Sequence, residues 1–251
     1  MSVNDRHKIS RGWHQPAATF VWKGPNVRRL ILPLLFGIVG TLVLVSLGSW
    51  QTERLTWKKE ILADIATRIS LDPVNIPAQP DPEADRYLSV KAQGTITSDE
   101  IHVLASTRKV GAIYRIIAAF ELDDGRRILL DRGYIPLPQK DVERAPVMAQ
   151  VTGNLHWPNE IDSYTPANDL EANIWFSRDV AVMADHLNAD PILMISRSTS
   201  ENDTTVTPLP VDTQGIPNDH LQYAVTWFGL AIVWVLMTLY YLRRMRKQKK
   251  V

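Results

Sequence analysis

Asp219 to Leu242 reads D-H-L-Q-Y-A-V-T-W-F-G-L-A-I-V-W-V-L-M-T-L-Y-Y-L, and R-R-M-R-K-Q-K-K follows from Arg243 to Lys250. No residue from Tyr223 to Leu242 is charged, and a helix of that length, at about 1.5 Å per residue, reaches roughly 30 Å, the thickness of bilayer hydrocarbon. The stretch predicts a membrane span. Arg243, Arg244, Arg246, Lys247, Lys249 and Lys250 come after it without an acid, which places the C-terminus in the cytoplasm and the residues before the span on the opposite side. Along the span His220, Trp227, Trp234 and Tyr241 recur at intervals of seven. A straight helix drifts by about 20° per heptad, so the four share a stripe roughly 60° wide. An aromatic belt at the membrane interfaces accounts for Tyr241 and Trp227, with His220 about one turn outside the apolar run. Trp234 falls mid-membrane, so the stripe faces either a partner helix or a flat hydrophobic ligand; the spacing leaves both open.

Working outward, a second apolar run lies near the other end, Leu30 to Trp50: L-I-L-P-L-L-F-G-I-V-G-T-L-V-L-V-S-L-G-S-W. No small-x-small cleavage site separates it from Glu53 and Arg54, so it reads as an uncleaved anchor. Arg28 and Arg29 before it fix the N-terminal side as cytoplasmic. The first 29 residues are basic, with helix breakers and no apolar core of a signal peptide. They have some likeness to a mitochondrial presequence but are short of Ser, and read better as a bacterial cytoplasmic tail. The expected organisation is a cytoplasmic segment 1–29, a first span 30–50, an extracytoplasmic domain 51–222, a second span 223–242 and a basic tail 243–251. Localisation follows as the bacterial inner membrane, with the mitochondrial inner membrane as the alternative.

The formal net charge of +1 conceals a segregation. Of 28 Lys and Arg, six lie in residues 1–29 and six after Leu242, leaving sixteen between Gln51 and Gln222 against 26 of the 27 acids, a net −10 there. The domain therefore lacks a basic stripe for nucleic acid, and the basic ends are topology determinants and contacts for lipid headgroups. The chain has no cysteine, which excludes disulfides and thiolate metal sites.

Past the first span, L-G-S-W-Q-T-E-R-L-T-W-K-K-E-I-L-A-D-I-A-T-R-I continues the helix, and Trp50, Arg54 and Trp57 at i, i+4 and i+7 put an arginine between two indoles on one face. This is a cation–π cluster or an ordinary interfacial anchor. Beyond Ser70 the Pro-rich D-P-V-N-I-P-A-Q-P-D-P-E predicts an extended connector. From Tyr87 the period becomes two. Leu88, Val90, Ala92 and Ile96 alternate with polar residues, Gly94 marks a bulge or bend, and Ile101 and Val103 extend the pattern after a turn at Ser98-Asp99. Tyr114–Leu122 and Arg127–Ile135 flank Asp123-Asp124-Gly125, a hairpin signal. Another strand covers Val147–Leu155, and its V-T-G-N-L resembles A-Q-G-T-I at Ala92, hinting at two similar strand units. A short helix between Ser177 and Asn188, capped by Ser177, should bury Val180, Met183, Ala184 and Leu187. Pro191–Ile195 predicts a last buried strand, and Ser198–Pro217 a polar loop. The fold class is an α+β membrane protein, two transmembrane helices flanking a mainly β extracytoplasmic domain with a short helix.

No catalytic constellation emerges, and the chain reads as a non-enzyme. His102, His156 and His186 stand singly, without a carboxylate at ligand spacing, and read as surface or packing residues; no phosphate loop or GxSxG is present.

Four segments together resemble the Surfeit locus protein 1 family, the membrane assembly factors of cytochrome c oxidase. They are L-G-S-W-Q-T-E-R-L-T-W-K-K at Leu47, L-L-D-R-G-Y-I-P at Leu129, N-x-W-F-x-R-D at Asn173 and N-D-H-L-Q-Y-A-V-T-W-F-G-L-A at Asn218. Departures fall at Asp131 and Tyr134, where the family commonly shows Asn and Trp, and at Asp219, where Asn is usual and where an acid beside His220 is expected to raise the basicity of its imidazole. The resemblance implies help in maturing the haem-bearing subunit I, with haem a as a transient cofactor and haem a synthase as a further partner. It carries the family's histidine onto His220, as a ligand of haem iron, and its span tryptophan onto Trp227; the stripe adds Trp234 to this cofactor-binding set. Trp50, Arg54 and Trp57 would supply a cation near the propionates. The alternative is a scaffold that stabilises immature oxidase subunits without holding haem; a third reading, an exported sensory domain, lacks a cytoplasmic output domain.

Overall fold

A computed structural model describes residues 28–202, 205–213 and 216–247; the basic segment before Arg28, and Lys249 and Lys250 of the tail, lie outside the described residues. The described residues divide into two compact units, residues 28–53 with 219–247, and residues 54–218.

The first unit is a helix pair. Helix α1 (Arg28–Ser70) contributes its N-terminal part and α3 (His220–Lys247) its whole length. Pro33 lies inside α1, past the four N–H groups that a helix start leaves without a partner, so it removes one bond of the helix ladder. Both helices are long and apolar enough to cross a bilayer. Only 6% of the most apolar window of each is buried, whereas the central helix of a water-soluble protein would be covered by its neighbours. Leu32, Phe36 and Val225 accordingly project outward, and the protein is a membrane protein of the α+β class.

The second unit is a sheet domain, built on β1 (Val74–Asn75), β2 (Ser89–Thr107), β3 (Gly111–Leu122), β4 (Arg127–Pro136), β5 (Val147–Leu155) and β6 (Leu193–Thr199), with helix α2 (Val180–His186) between the last two strands. Neighbours run β1-β2-β3-β4-β6-β5, and β5 also pairs with β2. That extra pairing, Ser89↔Asn154 through Ile96↔Val147, closes five strands into a barrel, a small Greek-key closure of the kind represented by OB folds. Only β4–β6 and the short β1–β2 ladder are parallel. The alternation of side chains makes two cores. Phe120, Leu130, Val151, Leu155 and Met194 fill the barrel. Ile117, Leu129, Leu193 and Ile195 point the other way and are covered by α2 and the fully buried Trp175.

The two similar segments meet at one pair. Ala92 pairs with Val151, so A-Q-G-T-I and V-T-G-N-L run antiparallel about a local two-fold at that pair. A Cβ at Gly94 would meet the Glu121 carbonyl oxygen at 2.0 Å, and one at Gly153 the Ile195 carbonyl oxygen at 2.1 Å. The hinted repeat is thus a repeated close approach of a third strand on either side. Gly94 itself lies in regular register, so close packing, and no bulge, is why it is glycine.

Several local expectations are corrected. Ser98-Asp99 makes no turn: β2 continues through it with a register shift between Ile96 and Glu100, where Thr97 Oγ1 donates to Ala119 O (3.1 Å) and accepts from Asp99 N (3.2 Å). The cap of α2 is Asp179, whose carboxylate accepts from Ala181 N and Val182 N; Ser177 is buried instead. The Pro-rich connector contains β1, and the polar loop after Ser198 contains the end of β6 and a bridge from Thr207 to Tyr134.

Candidate functional site

In the helix pair the seam of α3 runs His220, Ala224, Trp227, Ala231, Trp234, Thr238, alternating steps of four and three. The facing side of α1 carries glycines. A Cβ at Gly37 would lie 2.3 Å from Thr238 Cγ2, one at Gly40 2.4 Å from Trp234 Nε1, and one at Gly48 2.7 Å from Phe228 Cε1. Small residues let the backbones approach where lipid gives no hydrophobic drive for association. Trp234 lies in this contact: its Nε1 donates to Gly37 O at 3.0 Å, and its ring lies 5.3 Å from Phe36. Of the two readings left open by the spacing, the position of Trp234 matches the partner helix. Trp227 is half-buried on the same seam, and Tyr241 is exposed, lining an apolar groove with Leu32, Phe36 and Val39.

His220 sits at the start of α3, half-buried, with Nδ1 2.8 Å from Oε1 of the buried Gln51. The carboxamide oxygen can only accept, so Nδ1 carries a proton, and in the neutral ring Nε2 keeps its lone pair. An imidazole oriented in this way by a partner on its other nitrogen is the arrangement found around metal-ligating histidines. His220 is the residue that would hold a haem iron, through Nε2. Gln51, not Asp219, is the hydrogen-bond partner of the ring. Sequence reasoning missed Gln51; the available signal was a carboxamide three residues beyond Gly48 on the inward face of α1. Of the expected Trp50, Arg54 and Trp57 cluster, Arg54 Cζ lies 4.9 Å from the centroid of Trp57, and both Trp50 and Trp57 are about half exposed.

The sheet domain holds polar groups the sequence reading did not anticipate. Asp131 is fully buried, and its Oδ2 accepts from Arg115 Nε (2.8 Å) and Nη2 (2.5 Å) and from Arg178 Nη1 (3.4 Å). Arg178 also pairs with Glu160. Burial alone would lift the Glu160 carboxyl, but the Arg178 guanidinium outweighs it and holds the acid below its usual range; burial likewise opposes the Arg178 charge, and Glu160 and Asp131 overcome it and push that guanidinium up. His102 is not solitary. Residues i and i+2 of a strand share a face, and its Nε2 lies 2.8 Å from Glu100 Oε1, which also meets Arg144. His186 packs edge-on against Trp175. His156 stacks on Tyr87 beside a cavity, and burial, followed by the nearby charges of Arg178 and Arg86, pushes its imidazole down to about 4. Among the described residues no cluster of three His, Asp or Glu has metal-site geometry.

Fold and sites together define the class: a membrane protein whose two apolar helices bracket a closed β-barrel domain, with a single oriented histidine at the start of the second helix. The SURF1 family model matches residues 38–232, and the chain belongs to the SURF1 family. It is 30% identical over 215 residues to a SURF1-like protein of Rickettsia felis, covering 80% of this chain and 92% of that protein. Surfeit locus protein 1 of Xenopus tropicalis is 29% identical over 212 residues, 74% of this chain and 67% of that protein. The protein of that name from Homo sapiens is 29% identical over 211 residues, 74% and 69% respectively.

Proposed function

We propose that this chain is an assembly factor for haem-copper cytochrome c oxidase, and that it holds haem a transiently at His220 on the way into subunit I. Family membership supports the oxidase assignment, and the Nδ1–H of His220 held on Gln51 supports the haem-holding step, since it leaves Nε2 open as a nitrogen donor. When bound, haem would supply an iron that accepts a nitrogen donor and a flat apolar ring. His220 offers the nitrogen, Gln51 fixes the plane and tautomer of the ring, and the Trp227 indole, one heptad deeper, offers an aromatic face. No catalytic base is required, because the cargo is passed on unchanged. The proposed placement is the bacterial inner membrane with both termini cytoplasmic and the barrel periplasmic, beside subunit I and haem a synthase.

The test is in cells. Removal of the gene should leave subunit I synthesised but depleted of haem a in isolated membranes, and a copy carrying His220→Ala should fail to restore it. A copy carrying His220→Ala that restores full haem content would leave the scaffold as the better reading.

A further inference from the structure

We infer that the helix pair carries a lipid site at the end where α1 begins and α3 finishes: a groove that seats one acyl chain of an anionic phospholipid, with Arg29 and Arg244 holding the headgroup. The groove measures 560 Å³ and is walled by Leu32, Pro33, Leu35, Phe36 and Val39 of α1 and by Tyr241 of α3. All but the half-buried Pro33 are between 52% and 75% exposed, so the helix pair does not cover this surface itself. From Leu32 to Val39 the helix rises about 10 Å, roughly a third of the hydrocarbon thickness. A partner helix would use a stripe across the whole bilayer, whereas an acyl chain lies within one leaflet. The length of the groove therefore selects a lipid chain.

The charge at its mouth selects the headgroup. Arg29 stands three residues before Leu32 and seven before Phe36, and Arg244 three beyond Tyr241. Residues at these spacings share a helix face, so each arginine continues one wall of the groove by a turn, about 5 Å further toward water. Both are exposed, and among the described residues no carboxylate or carbonyl holds either guanidinium. Arg243, Arg246 and Lys247 crowd the same end, and no acid lies in α1 as far as Thr52 or anywhere in α3. The residues before α1 carry one acid, Asp5, against Arg6, Lys8, Arg11 and Lys23, and those after Lys247 carry none. The excess is positive however the ends are arranged. Paired guanidinium groups suit a phosphodiester, and a basic pocket between two spans is a setting for an anionic headgroup. The site is independent of His220, which stands at the other end of α3.

The experiment uses the full chain, delipidated in uncharged detergent, and counts bound lipid by native mass spectrometry against phosphatidylglycerol, phosphatidylcholine of the same acyl chains, and glycerol phosphate. The first phosphatidylglycerol is expected to bind at least about tenfold more tightly than either control. Arg29→Gln with Arg244→Gln should remove about tenfold or more of that affinity, while Arg243→Gln with Arg246→Gln, the same charge taken from other faces of α3, should change it by less than about threefold. Val39→Trp, which fills the groove and keeps every cation, should weaken it as well. Phosphatidylglycerol no tighter than phosphatidylcholine overturns the site. So do equal losses in the two double variants, which would mean a diffuse attraction to the basic end, and glycerol phosphate as tight as the lipid, which would mean a phosphate site without a chain. The wild-type series and the arginine pairs decide the matter even if Val39→Trp misfolds.

Discussion

In the barrel a buried charge is neutralised by its neighbours: Asp131, fully buried, faces Arg115 and Arg178, and carbonyls of neighbouring strands press against Gly94 and Gly153. In the helix pair there is almost nothing to neutralise. Its contact rests on Gly37, Gly40 and Gly48 against Thr238, Trp234 and Phe228, with one indole donating to a carbonyl and one imidazole to a carboxamide. Around Asp131 the barrel closes its polar groups on one another, which makes structure. The helix pair fixes a polar ring from one side only and leaves the other nitrogen able to bind, which makes a site.

The contrast can be broken most severely at the glycines. Gly94→Val would drive a side chain into the Glu121 carbonyl, backbone that cannot step aside, and should cost more than about 4 kcal/mol and abolish the protease-resistant barrel. Gly40→Leu meets a side chain, Trp234, and should loosen the helix contact while the barrel melts as before. A barrel that tolerates Gly94→Val is not closed as described. Next in size is Asp131→Ala, which leaves two guanidinium groups in a buried setting without their shared anion; a loss of about 3–5 kcal/mol in denaturant unfolding is expected.

A pH experiment sharpens the comparison further. His156 takes up its proton only near pH 4 when folded, against about 6.5 when exposed, so between those values the unfolded chain binds a proton that the folded chain refuses. Acidification from pH 6.5 to 4 should therefore destabilise the barrel through this ring by about 2–3 kcal/mol, and His156→Phe should flatten that part of the stability curve. Smallest is Trp234→Phe, which removes the donor to Gly37 O and should weaken the helix pair in denaturing detergent by about 1 kcal/mol.

Both apolar helices, the β3–β4 hairpin, β5 and the buried face of α2 were legible in the sequence because each depends on local periodicity or turn chemistry. What was not legible depends on distant partners. Closure of the barrel needs β5 to find β2, and nothing near Val147 announces it. The Ser98-Asp99 pair looked like a turn because its polar residues fit one; pairing with β3 on the far side carries the strand through. Asp131 stood in the apolar run L-L-D-R-G as a visible irregularity, but its arginines come from β3 and from the segment before α2. At the candidate site His220 was readable from the heptad stripe and the family resemblance. Gln51 was not, since it lies 169 residues away and only the packing of α1 on α3 brings it to the ring.

The most direct measurement is the visible absorption spectrum of the protein purified in detergent from cells that make haem a, beside His220→Ala and Gln51→Leu. A Soret band near about one haem per chain is expected, absent in His220→Ala and weakened or displaced in Gln51→Leu, where the ring is no longer held by its Nδ1–H. A colourless wild type, or a His220→Ala protein that keeps its haem, would contradict the assignment of His220 as the haem ligand.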